Sequence, residues 1–378
     1  MLYVFYNNDP YGADQGGGVE HFRGIARALK QSTLPYQLIA VRKGSGLNYL
    51  PEVEFIGARV NILHFFSKEL LWFWRRRRRI EEQDVFHFHR NYLAWPKFLF
   101  AGRRGRVILT YHGLTGKVIH SRLHWLSWPI RALMIRFERK MLSQVDRIIF
   151  VSERDRAYMK EHMLGEHYSK TVVIPAAFNA PLYKNAEMPP PSVARKIIVI
   201  GRLAKIKNIP LALDAFARVR AHDSRFSLTV VGGGEEQENL QRLASHSAYA
   251  SAIQFIGCVE HHRIPQLLSE HGILLLTSES EASPTVVKEA LAAKRYVVSV
   301  DVGDVNQWIQ DRRCGSVCAS DAEAITQALL AGATVVEQQQ YFNPVDLGEI
   351  SEEKIMQRVL DEYSQLLAAP GKVTTSLR

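Results

Sequence analysis

The sequence predicts two α/β domains of similar size, each built on a doubly wound parallel sheet. The chain has 378 residues, a length that suits two domains of moderate size. Apolar runs rich in Val, Ile and Leu alternate with longer amphipathic stretches on both sides of a break at Pro189–Pro191. Runs without strict polar alternation are typical of strands that a parallel sheet buries on both faces. The βαβ alternation therefore predicts doubly wound sheets before and after the prolines.

The predicted elements follow this division of the chain. Strands are expected at Leu2–Tyr6, Gln37–Val41, Val85–His89, Val107–Tyr111, Arg147–Val151, Thr171–Ile174, Ile197–Gly201, Ser227–Val231, Ile253–Ile256, Gly272–Leu276 and Tyr296–Val300. Helices are expected at Val19–Lys30, Ile209–His222, Glu235–Ala244 and Ser351–Leu367. We predict an N-terminal domain at 1–180, a linker at 181–194, a C-terminal domain at 195–350 and a terminal helix at 351–378 that packs back on the N-terminal domain.

Composition narrows the classes of protein that fit. No segment is apolar for long enough to span a bilayer, and the first strand lacks the features of a signal peptide, so a cytoplasmic protein is expected. Cys258, Cys314 and Cys318 are too few for a disulfide framework and lack zinc-ligand spacing, which favours buried free thiols.

The excess of positive over negative charge is confined to the first half of the chain. The net charge is +10; residues 1–187 carry 29 Lys and Arg against 16 Asp and Glu, while the remainder is slightly acidic. Two segments there mix aromatic and basic residues, one containing Trp72, Trp74 and the run Arg75–Arg79, the other spanning His124–Lys140. Tryptophan and arginine together suit an anionic lipid surface, although the aromatics could instead pack in the core. We predict association with the inner face of the cell membrane.

The loop Gly201–Asn208 follows one predicted strand of the second half and precedes a helix. In open α/β sheets, ligands bind beyond the carboxyl ends of the strands. Arg202 and Lys207 place two cations there, and both residue types suit a diphosphate. Taken alone, a solvated basic turn explains them equally well.

A second candidate element runs from Glu281 to Glu289. Ser283 is a good N-cap and Pro284 suits the first position of a helix, whose free N–H groups form an anion site. A carboxylate accepts hydrogen bonds from a vicinal diol, so the glutamates suit a sugar. Two surface glutamates at this spacing also occur by chance.

Two features of the first half also follow strands. Gly16–Gly18 precedes the first helix, where glycine permits close approach of the backbone to a ligand. His112 ends a predicted strand, although a lone histidine is more often structural. Neither Gly16–Gly18 nor Gly232–Gly234 satisfies the dinucleotide fingerprint.

In order, these elements resemble glycosyltransferase family 4, whose members have the GT-B fold of two facing Rossmann-like domains with a cleft between them. The resemblance covers nearly the whole chain and depends on these segments: Gly17–Glu20, Asp84–His87, Thr110–Gly113, Asp146–Ser152, Val173–Pro175, Gly201–Leu203 with Lys207–Asn208, Val231–Gly234, Phe255–Val259, the Glu281–Glu289 pair and Asp301–Gly303. Ala282 and Ser283 stand where the family often has glycine and a large apolar residue, and the usual Asn-Gly is missing from 174–179.

The resemblance implies a retaining, metal-independent transferase that uses a UDP- or GDP-linked sugar and no other cofactor. Arg202 and Lys207 would hold the donor diphosphate, and Glu289 would bind the ribose. Glu281 and the backbone of 282–285 (Ala282, Ser283, Pro284 and Thr285) would hold the sugar, which His112 would also contact. Gly17 and Gly18 would approach the phosphates. Positive side chains and a helix dipole would take the place of a metal, and the sequence has no Asp-x-Asp site. The acceptor would be a glycan or lipid-linked precursor of cell-surface polysaccharide or lipopolysaccharide.

Three other interpretations stay open. An epimerase of the same fold would turn over a nucleotide sugar without an acceptor. A basic nucleic-acid-binding protein would explain the five arginines, but acidic residues at the C-terminal site disfavour a polyanion there, so no nucleic acid is expected. A nicotinamide dehydrogenase is disfavoured by the failed glycine fingerprint.

Overall fold

The computed structural model describes residues 1–10, 17–42, 52–57, 61–113 and 128–369. The chain divides into two units. One comprises Met1–Pro175 together with the chain from Glu353 onward, and the other comprises Ala176–Glu352. The segment predicted as a linker, 181–194, lies inside the second unit, and 3-10 helices form at Ala180–Tyr183 and Pro191–Val193.

The first unit contains a seven-stranded parallel sheet in the order β3-β2-β1-β4-β5-β6-β7. Its strands are β1 (Leu2–Phe5), β2 (Tyr36–Val41), β3 (Val53–Gly57), β4 (Val85–Phe88), β5 (Arg106–Tyr111), β6 (Arg147–Phe150) and β7 (Thr171–Val173). The α-helices of this unit are Gly17–Gln31, Ile62–Arg76, Trp95–Ala101, Trp128–Gln144, Glu153–Met159 and Glu352–Ala368. Aromatic side chains from the sheet and from Ile62–Arg76 form one buried core cluster.

The second unit contains a six-stranded parallel sheet in the order β10-β9-β8-β11-β12-β13. Its strands are β8 (Lys196–Ile200), β9 (Ser227–Val231), β10 (Ile253–Gly257), β11 (Ile273–Leu276), β12 (Tyr296–Val300) and β13 (Gly315–Cys318). The α-helices are Ile209–His222, Gln237–Ser245, Ile264–Ser269, Thr285–Ala292, Val305–Trp308 and Ala322–Glu337. In both units the strand order reverses beside the first strand, which makes two topological switch points: β1/β4 and β8/β11.

All of the predicted strands are confirmed within a residue or two at their ends, but the sequence analysis missed β3 and β13. Both missed strands lie at sheet edges. β3 has one buried residue followed by four half-buried ones, and β13 has only four residues. An edge strand buries less apolar surface, so its sequence carries a weaker apolar run.

The helix Glu352–Ala368 packs within the first unit although it follows the second unit in the chain. The hydroxyl of Tyr363 lies 2.6 Å from Nδ1 of the buried His87. The Arg106 guanidinium donates to the carbonyl oxygens of Leu366 and Ala369. These contacts tie the helix to the middle of the sheet, since His87 lies in β4 and Arg106 in β5.

The cysteines are free thiols, as predicted, but only one of the three is buried. Cys314 is buried and Cys318 half-buried, whereas Cys258 is exposed, because it follows the edge strand β10. Within the described ranges, no helix is both long enough and apolar enough to cross a lipid bilayer.

Candidate donor and histidine sites

The switch point of the second unit brings the two candidate loops of that half to the same edge of its sheet. β8 runs into Gly201 and Arg202, and its neighbour β11 runs into Thr277 and Ser278. The Arg202 side chain is exposed, and no hydrogen bond or ion pair to another described residue holds it. It is therefore available to an anionic ligand.

Hydrogen bonds fix the loop that carries Lys207 to the loop that follows β11. The Thr277 hydroxyl donates to the carbonyl oxygens of Lys207 at 3.1 Å and Asn208 at 3.0 Å. Asn208 takes a left-handed conformation, with φ 47°, between the 3-10 helix Lys205–Lys207 and the α-helix Ile209–His222. Asparagine tolerates this conformation better than most residues. Lys207 is therefore held in place by its own backbone, through the hydrogen bonds from Thr277 and the turn at Asn208.

Lys207 forms an ion pair with Glu281, whose Oε1 also accepts a hydrogen bond from the Ser278 hydroxyl at 2.7 Å. Both charged side chains are partly exposed, by 24% and 16%, so the pair remains accessible to a ligand. The structure thus brings together two predicted residues that are 74 positions apart. A ligand diphosphate would compete with Glu281 for the Lys207 ammonium group.

The three consecutive glycines after β9 support the Arg202 loop. A Cβ added at Gly232 would lie 1.9 Å from the carbonyl oxygen of Gly201, and one at Gly234 would lie 2.4 Å from that of Leu203. The Leu203 N–H also donates to the Gly233 carbonyl at 2.9 Å. These glycines are therefore explained by close packing of two backbones, with no need for a dinucleotide fingerprint.

Ser283 is not the helix N-cap that the sequence analysis predicted. The helix is Thr285–Ala292 and Pro284 occupies the cap position, so the Ser283 side chain is directed to other partners. Its hydroxyl donates to Asp304 Oδ2 at 2.5 Å and accepts from Lys288 Nζ at 2.5 Å.

Lys288, in the helix Thr285–Ala292, is fully buried beside Ser283. Its Nζ donates to the Ala176 carbonyl at 2.8 Å and lies 3.4 Å from Asp304 Oδ2. Burial lowers the pKa of Lys288, while the Asp304 carboxylate opposes that shift. Gly303 (φ 55°) brings the following loop so close that an added Cβ would lie 2.5 Å from the Ala282 carbonyl. The backbone of 281–283 is therefore fixed by two contacts: Lys288 bonds to the Ser283 hydroxyl, and the Gly303 backbone packs against the carbonyl groups of 281 and 282.

Glu289, the predicted ribose ligand, is buried and already has a partner. Its Oε1 lies 2.8 Å from Nε2 of His261, which belongs to a 3-10 helix after β10. The two glutamates of the predicted pair thus have separate partners: Glu281 bonds to Lys207 and Ser278, whereas Glu289 bonds to His261.

The switch point of the first unit holds a cluster of histidines. His89 follows β4, His112 follows β5, and His21 projects from the helix Gly17–Gln31. One ring nitrogen from each of the three lies within 4.8 Å of the others, and His89 Nδ1 is 2.9 Å from His112 Nε2. Burial holds the pKa of His89 and of His112 well below the usual range, and the neighbouring Arg90 lowers both further. The imidazoles of His89 and His112 are therefore neutral at neutral pH.

The predicted glycines of the first unit have different surroundings, and their neighbour Gly16 lies outside the described residues. A Cβ at Gly18 would lie 2.7 Å from the Tyr6 hydroxyl and 4.0 Å from His112 Cγ. A Cβ at Gly17 would meet nothing within 4 Å among the described residues. A side chain at position 18 would therefore displace the Tyr6 hydroxyl, whereas the described residues leave room for one at position 17.

The structure corrects part of the predicted basic and aromatic surface. Trp72 is buried, at 4% exposure, and packs edge-on against Tyr3 and Phe5, so it belongs to the core. Trp74 is 48% exposed, and the Arg77 guanidinium lies over its ring. The helix ends at Arg76, whose guanidinium forms an ion pair with the Glu54 carboxylate. The other arginines of the run are Arg75, inside the helix, and Arg77, Arg78 and Arg79, which follow it. Of the second segment, 124–127 lies outside the described residues, and Trp128–Gln144 is a helix.

Sequence reasoning missed five residues of these sites: His21, His89, His261, Lys288 and Asp304. A strand-end rule would have found His89 and Asp304, because each lies within a few residues of the end of a strand. His21 and Lys288 are inside helices, and no local pattern marks them.

Two doubly wound units with ligand-suited switch points define a protein of the GT-B fold. Solved structures support this assignment. Sucrose-phosphate synthase from Thermosynechococcus elongatus superposes with a TM-score of 0.75 at 17% identity, covering 98% of this chain and 99% of that one. Anabaena Alr3699/HepE in complex with UDP gives a TM-score of 0.69 at 16% identity, covering 96% and 99%.

Family models match both halves of the chain. The model for glycosyltransferase family 4 matches residues 15–180, and that for glycosyl transferases group 1 matches residues 186–340. A glycogen synthase from Mycobacterium tuberculosis is 24% identical over 236 residues, 62% of this chain and 56% of that protein. A phosphatidylinositol N-acetylglucosaminyltransferase subunit from Arabidopsis thaliana is 25% identical over 239 residues, 62% and 51%. The matches thus span about half the length of these relatives. The chain belongs to glycosyltransferase family 4.

Proposed function

We propose that the protein transfers a hexose-type sugar, with retention at the reacting carbon, from a nucleotide diphosphate donor to a glycan or lipid-linked acceptor. The observation that carries the proposal is the Arg202 loop: an exposed guanidinium without a partner among the described residues, beside Lys207, at the switch point of the second sheet. A planar guanidinium binds two phosphate oxygens at once. One similar structure, Anabaena HepE, was solved with UDP and with UDP-glucose, which supports a uridine nucleotide as the first donor to test.

The donor phosphates would be neutralised by side chains, with no metal bound to them. Arg202 and Lys207 supply two positive charges, and the N-terminus of the helix Thr285–Ala292 adds its dipole. As the sugar–phosphate bond breaks, negative charge accumulates on the departing diphosphate, and fixed cations stabilise it without rearrangement. When the diphosphate takes the Lys207 ammonium, Glu281 is released to accept hydrogen bonds from sugar hydroxyls.

The other predicted residues would complete the donor site. The N–H groups of 282–285 would bind the sugar, and Glu289 would bind the ribose while it remains bonded to His261. His112, neutral and half-buried, would accept or donate one hydrogen bond near the reacting carbon. Gly17 and Gly18 would admit the phosphates to the backbone of the first unit. Retention would follow from attack of the acceptor on the same face of the sugar.

The acceptor would be reached at a membrane surface. Exposed apolar side chains on the helix Ile62–Arg76 include Leu63 at 79%, Leu71 at 37% and Trp74 at 48%. Arg75 and Arg78 are exposed next to them. An apolar and basic helix face of this kind binds anionic headgroups, with each cation adding about 1 kcal/mol. This surface suits a lipid-linked acceptor in polysaccharide or lipopolysaccharide assembly.

Thermal unfolding with nucleotides tests the donor site. UDP, GDP and ADP, with and without sugars and in the presence of EDTA, would be compared on the wild type, on Arg202→Ala and on Arg312→Ala, an exposed arginine of the same unit. We expect one nucleotide family to raise the midpoint for the wild type and Arg312→Ala only. An absence of response to any nucleotide at millimolar concentration would refute the donor site. Loss of donor sugar without acceptor, and without hydrolysis, would indicate the epimerase instead.

Vesicle binding tests the membrane surface separately. Sedimentation with phosphatidylglycerol vesicles should decline for Trp74→Ala and with rising salt. It should be unchanged for Leu243→Ala, an apolar residue of the second unit that is 48% exposed. Equal binding of both variants would contradict this part of the proposal.

A further inference from the structure

The histidine cluster of the first unit has the geometry of a metal site. Three imidazoles from separate elements converge: His21 from a helix, His89 from the end of β4 and His112 from the end of β5. The ring centroid of His21 lies 5.7 Å from that of His89 and 5.1 Å from that of His112. Two imidazole nitrogens bound to one tetrahedral zinc ion, each at about 2.0–2.1 Å, stand roughly 3.3 Å apart. The observed spacing, 2.9 Å for one pair and within 4.8 Å for all three, brackets that value.

The chemistry of the three rings also suits a metal. His89 is 1% exposed, and its Nδ1 lies 2.9 Å from His112 Nε2, so the pair that would bind the ion is held inside the protein. Imidazole nitrogens are among the commonest ligands of zinc-type ions, and each of these three rings offers one to the cluster.

We propose that His21, His89 and His112 form a three-histidine site for one transition-metal ion of the zinc type, with a fourth position open to water or a ligand. Three imidazoles select Zn²⁺, Cu²⁺ or Ni²⁺ over Mg²⁺ and Ca²⁺, which prefer oxygen. This site belongs to the first unit and is distinct from the diphosphate-binding residues of the second.

Two consequences follow from the residues involved. Arg90 directly follows His89 in the chain, and its positive charge repels a dication at the cluster and weakens binding. Removing it should tighten the site. The second consequence rests on the proposed function: a metal on His112 withdraws that ring from the donor sugar, so zinc should inhibit transfer. Failure of transfer itself would leave the binding measurement intact.

The test uses the full chain without a polyhistidine tag, stripped with a chelator that is then removed. Zinc affinity would be measured by competition with a chromophoric chelator for the wild type, His21→Gln, His89→Gln and the control His222→Gln, an exposed histidine. We expect one equivalent of zinc for the wild type and the control, and affinity at least about tenfold weaker for both cluster variants. Arg90→Gln should bind about two- to fivefold more tightly, a modest gain because the guanidinium is solvent-exposed.

A second measurement does not depend on variants that fold poorly. Co²⁺ added to the wild type should give the intense visible bands of a tetrahedral complex, and zinc should displace them. The same bands in Cys258→Ser would exclude the exposed thiol as a ligand. Three results would overturn the proposal. They are weak octahedral bands, a zinc dissociation constant above about 100 µM, which corresponds to about 5.5 kcal/mol of binding free energy, or equal losses of affinity in His21→Gln and His222→Gln.

Discussion

Replacing Lys288 with methionine keeps the length of a fully buried side chain but removes its charge and its hydrogen bonds. The wild-type Nζ donates to the Ala176 carbonyl and to Ser283, and it lies 3.4 Å from Asp304 Oδ2. Asp304 is 1% exposed in its side chain, so the variant leaves a carboxylate in the interior without its cation. Breaking a buried ion pair in this way costs about 3–5 kcal/mol, because the remaining charge is no longer compensated.

That cost should be visible as a loss of thermal stability in the second unit. A domain of this size loses about 2–4 °C of midpoint per kcal/mol, so Lys288→Met should melt roughly 6–20 °C lower than the wild type. The double variant Lys288→Met with Asp304→Asn removes the orphaned charge and should recover part of the loss. The control is Lys184→Met, an exposed lysine of the same unit, for which a change within about 0.5 kcal/mol is expected.

Calorimetry with and without donor separates stability from ligand positioning. Lys288 supports Ser283, so the variant should lose more affinity for the nucleotide sugar than for the nucleotide diphosphate alone. A midpoint for Lys288→Met equal to that of Lys184→Met would refute the account of the buried pair. A single variant no less stable than the double variant would do the same.

Three further outcomes are expected. Gly303→Ala should destabilise the second unit by about 1–3 kcal/mol, measured by urea unfolding, because its Cβ would collide with the Ala282 carbonyl at a left-handed φ; wild-type stability would contradict the close approach. Burial lowers the pKa of His271 below 6.5, so the unfolded state binds more protons and the free energy of unfolding should fall as the pH drops below about 6.5. His271→Gln should lose stability less steeply between about pH 6.5 and 5, and equal pH slopes for the variant and the wild type would contradict this prediction. Trp72→Ala should cost about 3–5 kcal/mol, whereas Trp74→Ala should leave the unfolding midpoint nearly unchanged; equal costs in circular-dichroism melts would show that the helix face is assigned wrongly.

Strand-end reasoning located the loops of the second unit because β8 and β11 are buried strands with strong apolar runs. Arg202 and Ser278 each come two residues after the end of their strand, so sheet order alone brings their loops to the same edge of the sheet. The contacts of Lys288 were out of reach, because its partners at Ala176, Ser283 and Asp304 are brought together by the fold. A lysine inside a largely apolar helix gives no local sign that it is buried.

The error at Trp72 has a different origin. The buried residues of its helix, Phe65, Glu69, Trp72 and Phe73, follow the spacing i, i+4, i+7 and i+8, which is the period of a helix face directed into a core. The adjacent run of arginines favours a surface interpretation, but the helical period decides which side chains the core receives. Trp74 lies off that face and is exposed, so the same helix has a core side and a solvent side.

The path of the chain has a consequence for synthesis. Residues of the first sheet are made before the second unit, but the helix Glu352–Ala368 that supplies Tyr363 to His87 is made after it. The second unit is continuous in sequence, whereas the first is complete only once its last helix has been made. Until then His87 and Arg106 lack the partners that this helix and the residue after it supply. A stop directly before residue 352 would therefore leave the second unit nearly whole and deprive the first unit of its last helix.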